Sequence, residues 1–110
     1  MGEVMTIARK GTPNWRIHPG EILREEFMEP LKLNPHKLAL ALRVPAPGIY
    51  ELVKEERSIS TEMALRLARF FRTTPEFWMN LQTHYDLEIT RDEEQRKIDE
   101  EVRPIEATMA

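Results

Sequence analysis

The sequence predicts an all-α protein made of short amphipathic helices, because three observations agree along the chain. Apolar residues recur at intervals of three and four, which is the spacing of one helix face. Capping residues and prolines separate these segments. No alternating pattern of strand type competes with them. We therefore expect five short helices, followed by a polar and acidic extension.

The first two helices have clear boundary signals. His18-Pro19-Gly20 is a turn that opens the first helix, and Pro30 should end that helix one or two residues earlier. Asn34-Pro35 starts the second helix, since asparagine caps well and a proline at the first position has no amide hydrogen to leave unpaired. This second helix is expected to end near Arg43.

The later boundaries follow the same logic. Val44-Pro45 breaks the chain and starts the third helix, Ser60 caps the fourth, and Thr74-Pro75 opens the fifth. Thr90 with Glu93 has the spacing of a capping box, so a last helix is predicted to start there. The inner faces of helices two to four are expected to be Leu38, Ala39 and Leu42, then Ile49, Leu52 and Val53, then Ala64, Leu65, Leu67, Ala68 and Phe71.

Composition places the chain among ordinary soluble domains. It has 110 residues, of which 41% are hydrophobic and 32% are charged, and this length suits one domain better than two. No stretch approaches the roughly 18 apolar residues of a membrane span, and the start lacks the apolar core of a signal peptide. The absence of cysteine excludes disulfides and thiolate metal sites. A cytoplasmic location is expected.

The ionisable residues do not form a catalytic pattern. His18, His36 and His84 lack the spacing of metal ligands, and no phosphate-binding glycine loop occurs. The adjacent pairs Glu25-Glu26 and Glu55-Glu56 would point about 100° apart on a helix, so neither pair shares a site. We expect no enzymatic activity, no catalytic residue, no metal and no cofactor.

Charge is distributed unevenly. Residues 31–74 contain eight Lys and Arg against four Asp and Glu, whereas residues 75–110 contain four against ten. The middle of the chain could therefore face phosphates, while the end could face a basic partner or remain solvated.

Residues 38–53 have the pattern of a helix-turn-helix. Small residues at 39 and 41 would let the two helices touch, Val44 would plug the turn, and the third helix would be anchored by its apolar face. The outer face of that third helix would then enter a major groove. The residues expected on this base-facing surface are Ala46, Pro47, Gly48, Tyr50, Glu51 and Lys54. A compact helical bundle without DNA binding is the alternative interpretation of the same pattern.

The most distinctive motif of the chain is the run Pro75-Glu76-Phe77-Trp78-Met79-Asn80-Leu81-Gln82. It is accompanied by His18-Pro19-Gly20-Glu21-Ile22-Leu23, Phe27-Met28-Glu29-Pro30-Leu31, Leu38-Ala39, Val44-Pro45, Ile49, Ala64-Leu65-Arg66-Leu67-Ala68-Arg69-Phe70-Phe71 and Tyr85-Asp86-Leu87. These motifs, between about Ile17 and Leu87, resemble the HigA/VapI family of antitoxins, which belongs to the Xre-type (lambda repressor-like) helix-turn-helix group. The resemblance implies a dimer that neutralises a HigB-like mRNA-cleaving toxin and represses its own operon through a palindromic operator.

Three departures from the family pattern affect the DNA-facing surface. Pro47-Gly48 stands where relatives carry polar residues, and neither side chain can bond to a base edge. Glu55-Glu56 replaces a segment whose glycine lets backbone amides approach phosphate. Pro35 replaces a phosphate-binding glutamine and has no N–H. These changes leave the fold intact and make weakened operator binding an open alternative.

Basic residues outside the third helix could still supply a phosphate-contacting surface. The expected set is His36, Lys37 and Arg57 around the helix-turn-helix, with Arg9, Lys10 and Arg16 from the N-terminal arm. That arm, residues 1–16, is expected to be irregular, and it could reach a minor groove or be a disordered terminus.

The remaining predictions concern partners. Trp78, Leu81 and Tyr85 lie on or near one helical stripe, and we expect them to form the two-fold dimer interface that a palindromic site requires; core packing is the alternative. The domain is expected to span residues 17–87. The acidic extension, residues 88–110, would be a solvated tail or a segment anchored on a toxin or a second copy by Ile98, Val102 and Ile105.

Three functions are therefore compatible with the sequence. The first is an antitoxin that represses its own operon, and the second is a free-standing regulator of the same fold without a toxin. The third is an antitoxin that has lost specific DNA binding. A toxin gene beside this one would separate the first and third from the second, and DNA binding would separate the first from the third.

Overall fold

The computed structural model describes residues 16–106, and within them it contains five helices and no strand. The first helix, α1, begins as the α-helical turn Pro19–Ile22 and continues directly as the π-helical segment Leu23–Met28. The other helices are α2 (Pro35–Leu42), α3 (Ala46–Val53), α4 (Thr61–Phe71) and α5 (Pro75–Glu101). The predicted all-α fold is confirmed.

Three predicted helix starts are confirmed by their caps. The side chains of Asn34, Ser60 and Thr74 each accept a hydrogen bond from a backbone N–H three residues later, at 2.8, 3.1 and 3.1 Å. Each bond satisfies one of the amides that a helix leaves unpaired at its start. Pro30 also acts as expected, because the π-helical segment ends at Met28.

The helix predicted to start at Thr90 is wrong, because α5 runs from Pro75 to Glu101 without a break. Neither glycine nor proline occurs between Pro75 and Pro104, so nothing in the sequence stops the helix once it has begun. It ends shortly before Pro104, where a proline disfavours helical backbone in the residue that precedes it. The domain boundary expected at residue 88 therefore falls inside a continuous helix.

The core lies where the four shorter helices, α1 to α4, meet the first half of α5. Trp78 is fully buried there, and its Nε1 donates to Thr73 Oγ1 at 2.8 Å. Its ring centroid lies 4.9 Å from that of Phe27 and 5.0 Å from that of Phe77. The assignment of Trp78 and Leu81 to a dimer interface is therefore wrong, since both side chains are buried within one protomer.

Two other residues that we expected to pack against neighbouring helices lie on the surface instead. Leu65 is 59% exposed, and Ala41 is exposed as well. The buried stripe of α4 passes instead through Ala64, Leu67 and Ala68, so Leu65 is turned about 100° from the stripe at Ala64. Leu65 is thus an apolar side chain that the protomer itself does not cover.

His18 caps α1 in an unusual way. Its Nδ1 accepts the backbone N–H of Gly20 at 2.8 Å, and the ring is buried with its edge against Tyr85, at a centroid distance of 4.8 Å. Burial lowers the pKa of His18 below its ordinary value of 6.5. The charges of Glu55 and Asp86 raise this pKa and that of Arg24 lowers it, so burial is the larger effect.

We expect the free energy of unfolding to decrease as the pH falls below 6.5. The unfolded chain binds a proton at His18 near pH 6.5, whereas the folded chain resists it until a lower pH. The stabilisation by neutral His18 is therefore complete above 6.5 and is lost as the pH falls through the folded pKa. Urea unfolding between pH 7.5 and 5 should show this slope.

The control is His18→Asn, which keeps a capping acceptor but cannot titrate. The difference in unfolding free energy between the two proteins should shrink towards low pH. Parallel pH profiles would contradict the assignment of the slope to His18.

None of the helices within residues 16–106 is long and apolar enough to cross a membrane.

Candidate nucleic-acid interface

The α2–turn–α3 unit has the geometry expected of a helix-turn-helix. Arg43 closes α2 in the left-handed conformation (φ 62°), and the N–H of Val44 donates to the carbonyl of Ala39 at 3.1 Å. This is a C-terminal cap of the Schellman type, made here without glycine. Val44 then turns inwards and packs on the core. Ile49, Leu52 and Val53 bury the inner face of α3, as predicted.

The opposite face of α3 is open to solvent. Tyr50 and Lys54 are exposed and lie four residues apart, so they share one side of the helix. Pro47 is exposed at the first turn, whereas Ala46 is half-buried and packs against the core. The structure thus brings Pro47, Tyr50 and Lys54 together on the exposed face of α3, which is the surface predicted to face bases, and turns Ala46 partly away from it.

Arg57 occupies a position that the sequence did not indicate. Its Nε donates to Glu51 Oε1 at 2.9 Å, and its Nη1 would lie 3.5 Å from a Cβ placed on Gly48. Arg57 therefore reaches back from the following loop onto α3 beside Gly48 and Glu51. This contact places a positive charge next to the carboxylate that would otherwise repel phosphate.

The loop after α3 is held by a residue that the sequence analysis missed. The Nη1 of Arg24 donates to the carbonyl of Val53 at the end of α3, and its Nη2 lies 3.5 Å from Glu55 Oε2. Arg24 belongs to the π-helical segment, and no sequence spacing indicated that it would meet a residue 29 positions later. Its role here is to fix the C-terminal end of the exposed helix.

Glu55 has left-handed backbone, with a φ of 64°. Glycine adopts this conformation freely, whereas other residues lose roughly 1 kcal/mol or more in it. We expect Glu55→Gly to raise the free energy of unfolding by about 1 kcal/mol and to strengthen DNA binding, because it also removes a carboxylate beside α3. Its exposed pairing with Arg24 contributes little stability.

Glu56→Gly is the matched control, because it removes the same charge at a residue whose φ is not positive. This variant should strengthen DNA binding to a similar extent but lower the unfolding free energy by up to about 1 kcal/mol. Equal effects of the two substitutions on urea unfolding would contradict the assignment of strain to Glu55.

The expected phosphate-binding residues lie in four different places. His36 and Lys37 are exposed in the first turn of α2, although the Lys37 backbone N–H is already bound by Asn34 Oδ1. Arg16 lies beside α5, where it forms an ion pair with Asp92. Arg9 and Lys10 lie outside the described residues. Of the basic side chains expected to contact DNA beside α2 and α3, those of His36, Lys37 and Lys54 are therefore unpaired within residues 16–106, whereas Arg57 is paired with Glu51.

The proposed dimer residues are dispersed. Trp78 and Leu81 belong to the core, and Tyr85 is half-buried against His18. Gln82, next to Leu81, is also buried, and its Oε1 accepts the Ile59 N–H at 2.7 Å. This face of α5 thus holds the loop before α4 in place.

Among residues 16–106, no group of His, Asp and Glu could hold a metal ion.

The chain is similar to known helix-turn-helix proteins. A family model described as Helix-turn-helix matches residues 25–78. Virulence-associated protein I of Dichelobacter nodosus is 48% identical over 79 residues, which cover 72% of this chain and 73% of that protein. The Pseudomonas aeruginosa antitoxin HigA, solved with the higBA promoter, superposes with a TM-score of 0.81 at 45% identity, covering 83% of this chain and 99% of that one.

The chain belongs to the HigA/VapI family of helix-turn-helix proteins. A second solved structure, the antitoxin GraA in complex with its operator, superposes with a TM-score of 0.80 at 40% identity and covers 92% of this chain and all of that one. The resemblance stated from the sequence is confirmed. This is a family of DNA-binding antitoxins and regulators rather than of enzymes.

Proposed function

We propose that this HigA-family protein is the antitoxin of a toxin–antitoxin pair: a cytoplasmic homodimer that binds a HigB-like mRNA-cleaving toxin and represses its own operon through a palindromic operator. The observation that carries the DNA-binding half is the solvent-open face of α3 with Tyr50 and Lys54 on one side. Two similar proteins were solved with promoter or operator DNA, which supports the same use of the helix here.

The charge pattern around α3 supports this role despite the departures from the family. Glu51 is paired with Arg57, and Glu55 lies near Arg24. Three of the four carboxylates between residues 31 and 74 are therefore accompanied by guanidinium groups, since Glu62 is paired with Arg66. The remaining exposed cations there, including Lys37 and Lys54, would bind the DNA backbone and fix the register of the helix.

Base reading would depend on few side chains. Tyr50 can donate or accept through its hydroxyl, and Lys54 can donate to a guanine. Pro47 and Gly48 offer no polar group, so these positions would contribute by apolar contact and by the close approach of the backbone. We infer an operator that is recognised partly through its shape and deformability.

An assay in cells tests both parts of the proposed function, repression of the operon and neutralisation of the toxin. The region upstream of the gene is fused to a reporter, and the small gene beside it is expressed with and without this chain. Repression of the reporter together with rescue of growth supports the autorepressing antitoxin. Repression without an adjacent toxic gene product supports a free-standing regulator, and rescue without repression supports an antitoxin without an operator.

A further inference from the structure

A basic groove of about 830 Å³ lies between the C-terminal end of α2 and one side of α4. Two of its lining residues, Glu62 and Arg66, also border the cavity beside Pro47 and Gly48. The cations of the groove include Arg43, Arg69 and Arg72, none of which forms an ion pair with another residue in the range 16–106. Leu65 and Phe70 supply exposed apolar surface in the same groove. An acidic, amphipathic helix would match both properties.

The chain itself contains a segment of that chemistry. Residues 91–101 of α5 are all exposed, and Ile98 lies on the same side of the helix as Glu94 and Glu101, at spacings of four and three residues. These two carboxylates form no ion pair with another described residue. We refer to residues 91–101 as the acidic arm.

The acidic arm cannot fill the groove of its own protomer. Arg72 lies only three residues before the start of α5, so the groove is near the N-terminal end of that helix. The arm is at the opposite end, and a rise of 1.5 Å per residue places Ile98 about 35 Å from Pro75. While α5 remains a continuous helix, an arm in the groove must come from another molecule.

We propose that the acidic arm of one protomer docks in the arginine groove of a second copy of this chain, and that this contact stabilises the dimer. When the arm runs antiparallel to α4 with Ile98 against Leu65, Glu94 faces Arg69, because each charged residue lies four positions from its apolar neighbour. Arg72 lies just after α4 in left-handed backbone and is not part of this helix face. The inference rests on the dimer of the proposed function and locates its contact.

Site-specific crosslinking tests the contact, because the natural chain contains no cysteine. Leu65→Cys and Ile98→Cys, both at exposed positions, are purified separately as full chains, mixed and treated with a short bis-maleimide. A crosslink between residues 65 and 98 of different molecules, identified by mass spectrometry as the main product, is the expected result.

Charge reversal provides the specific control. Adding R69E to the groove partner should reduce the 65–98 product at least tenfold, and adding E94K to the arm partner of that variant should restore it. E100K is the matched control, because Glu100 lies two residues from Ile98 and therefore on another face of the arm. It should leave the product unchanged.

Two results would overturn the proposal. A dimer in sedimentation equilibrium that yields no 65–98 product would reject the groove as the contact while leaving the dimer of the proposed function in place. A chain that remains monomeric at all concentrations, with intact circular dichroism, would reject both. Operator binding is measured separately, so its loss cannot be mistaken for either.

Discussion

Gly20→Ala is expected to lower the free energy of unfolding by about 3 kcal/mol or more, at the upper end of what overpacking costs. A Cβ on Gly20 would lie 1.9 Å from the carbonyl oxygen of Leu52, far inside van der Waals contact. The obstacle is backbone, so no side chain can move aside. Because Leu52 belongs to α3, the substitution would also push α3, the helix that we propose faces DNA, away from α1. Urea unfolding followed by tryptophan fluorescence measures the loss.

Gly48→Ala is the matched control for this prediction. A Cβ at Gly48 would meet only the guanidinium of Arg57, at an ordinary 3.5 Å. Since glycine weakens a helix relative to alanine, this second variant should be as stable as the natural chain or more stable by up to about 1 kcal/mol. A Gly20→Ala protein within 1 kcal/mol of the natural chain would show that α1 and α3 do not approach each other this closely.

Trp78→Ala should lower the free energy of unfolding by about 3 to 5 kcal/mol, because it empties the largest fully buried position of the core. The phenyl rings of Phe27, Phe71 and Phe77 surround the indole and would lose their packing partner. The effect should be independent of protein concentration, since the side chain is buried within one protomer. Chemical unfolding at two concentrations checks this.

Trp78→Phe distinguishes the contribution of the aromatic ring to stability from that of its hydrogen bond. It keeps most of the aromatic contact and loses the donor to Thr73, so a smaller loss of about 1 to 2 kcal/mol is expected. If Trp78→Ala instead weakened the dimer and left the monomer as stable as before, the placement of Trp78 in the core would be contradicted.

The helix boundaries were predictable where their causes are local. Asn34, Ser60 and Thr74 cap helices through bonds that reach three residues along the chain, so the sequence alone contains both partners. Thr90 and Glu93 have the same spacing but lie inside a helix that nothing interrupts. A capping pattern therefore predicts a helix start only where the preceding residues cannot themselves be helical.

The face of a helix that meets the core was harder to predict. Both Leu65 and Leu67 suit a buried stripe by composition, and only Leu67 is buried. On α5, aromatic residues occur on more than one side, and the choice between them depends on how α1 and α4 pack against it. The buried face is therefore decided by tertiary packing, and no local feature of the sequence indicates it.

The features of the candidate site were likewise predictable only where their causes are local in the sequence. The turn at Arg43–Val44 and the outward position of Tyr50 and Lys54 followed from helical periodicity. The contact of Arg24 with the end of α3 and the return of Arg57 onto Glu51 did not, because each joins residues through the folded backbone. These two arginines change the electrostatic interpretation of Glu51 and Glu55, which in the sequence appear only as charges opposed to DNA.

The most direct test of the account is a titration of the purified chain onto its own upstream DNA and onto a scrambled duplex, at two salt concentrations. We predict binding to its own DNA at least about 10³-fold tighter than to the scrambled duplex, and weakening with salt. Tyr50→Ala should reduce this preference about tenfold or more, whereas Lys54→Ala should weaken both complexes and reduce the salt dependence by about one charge. Equal affinity for the two duplexes would contradict the assignment of α3 as the element that reads an operator.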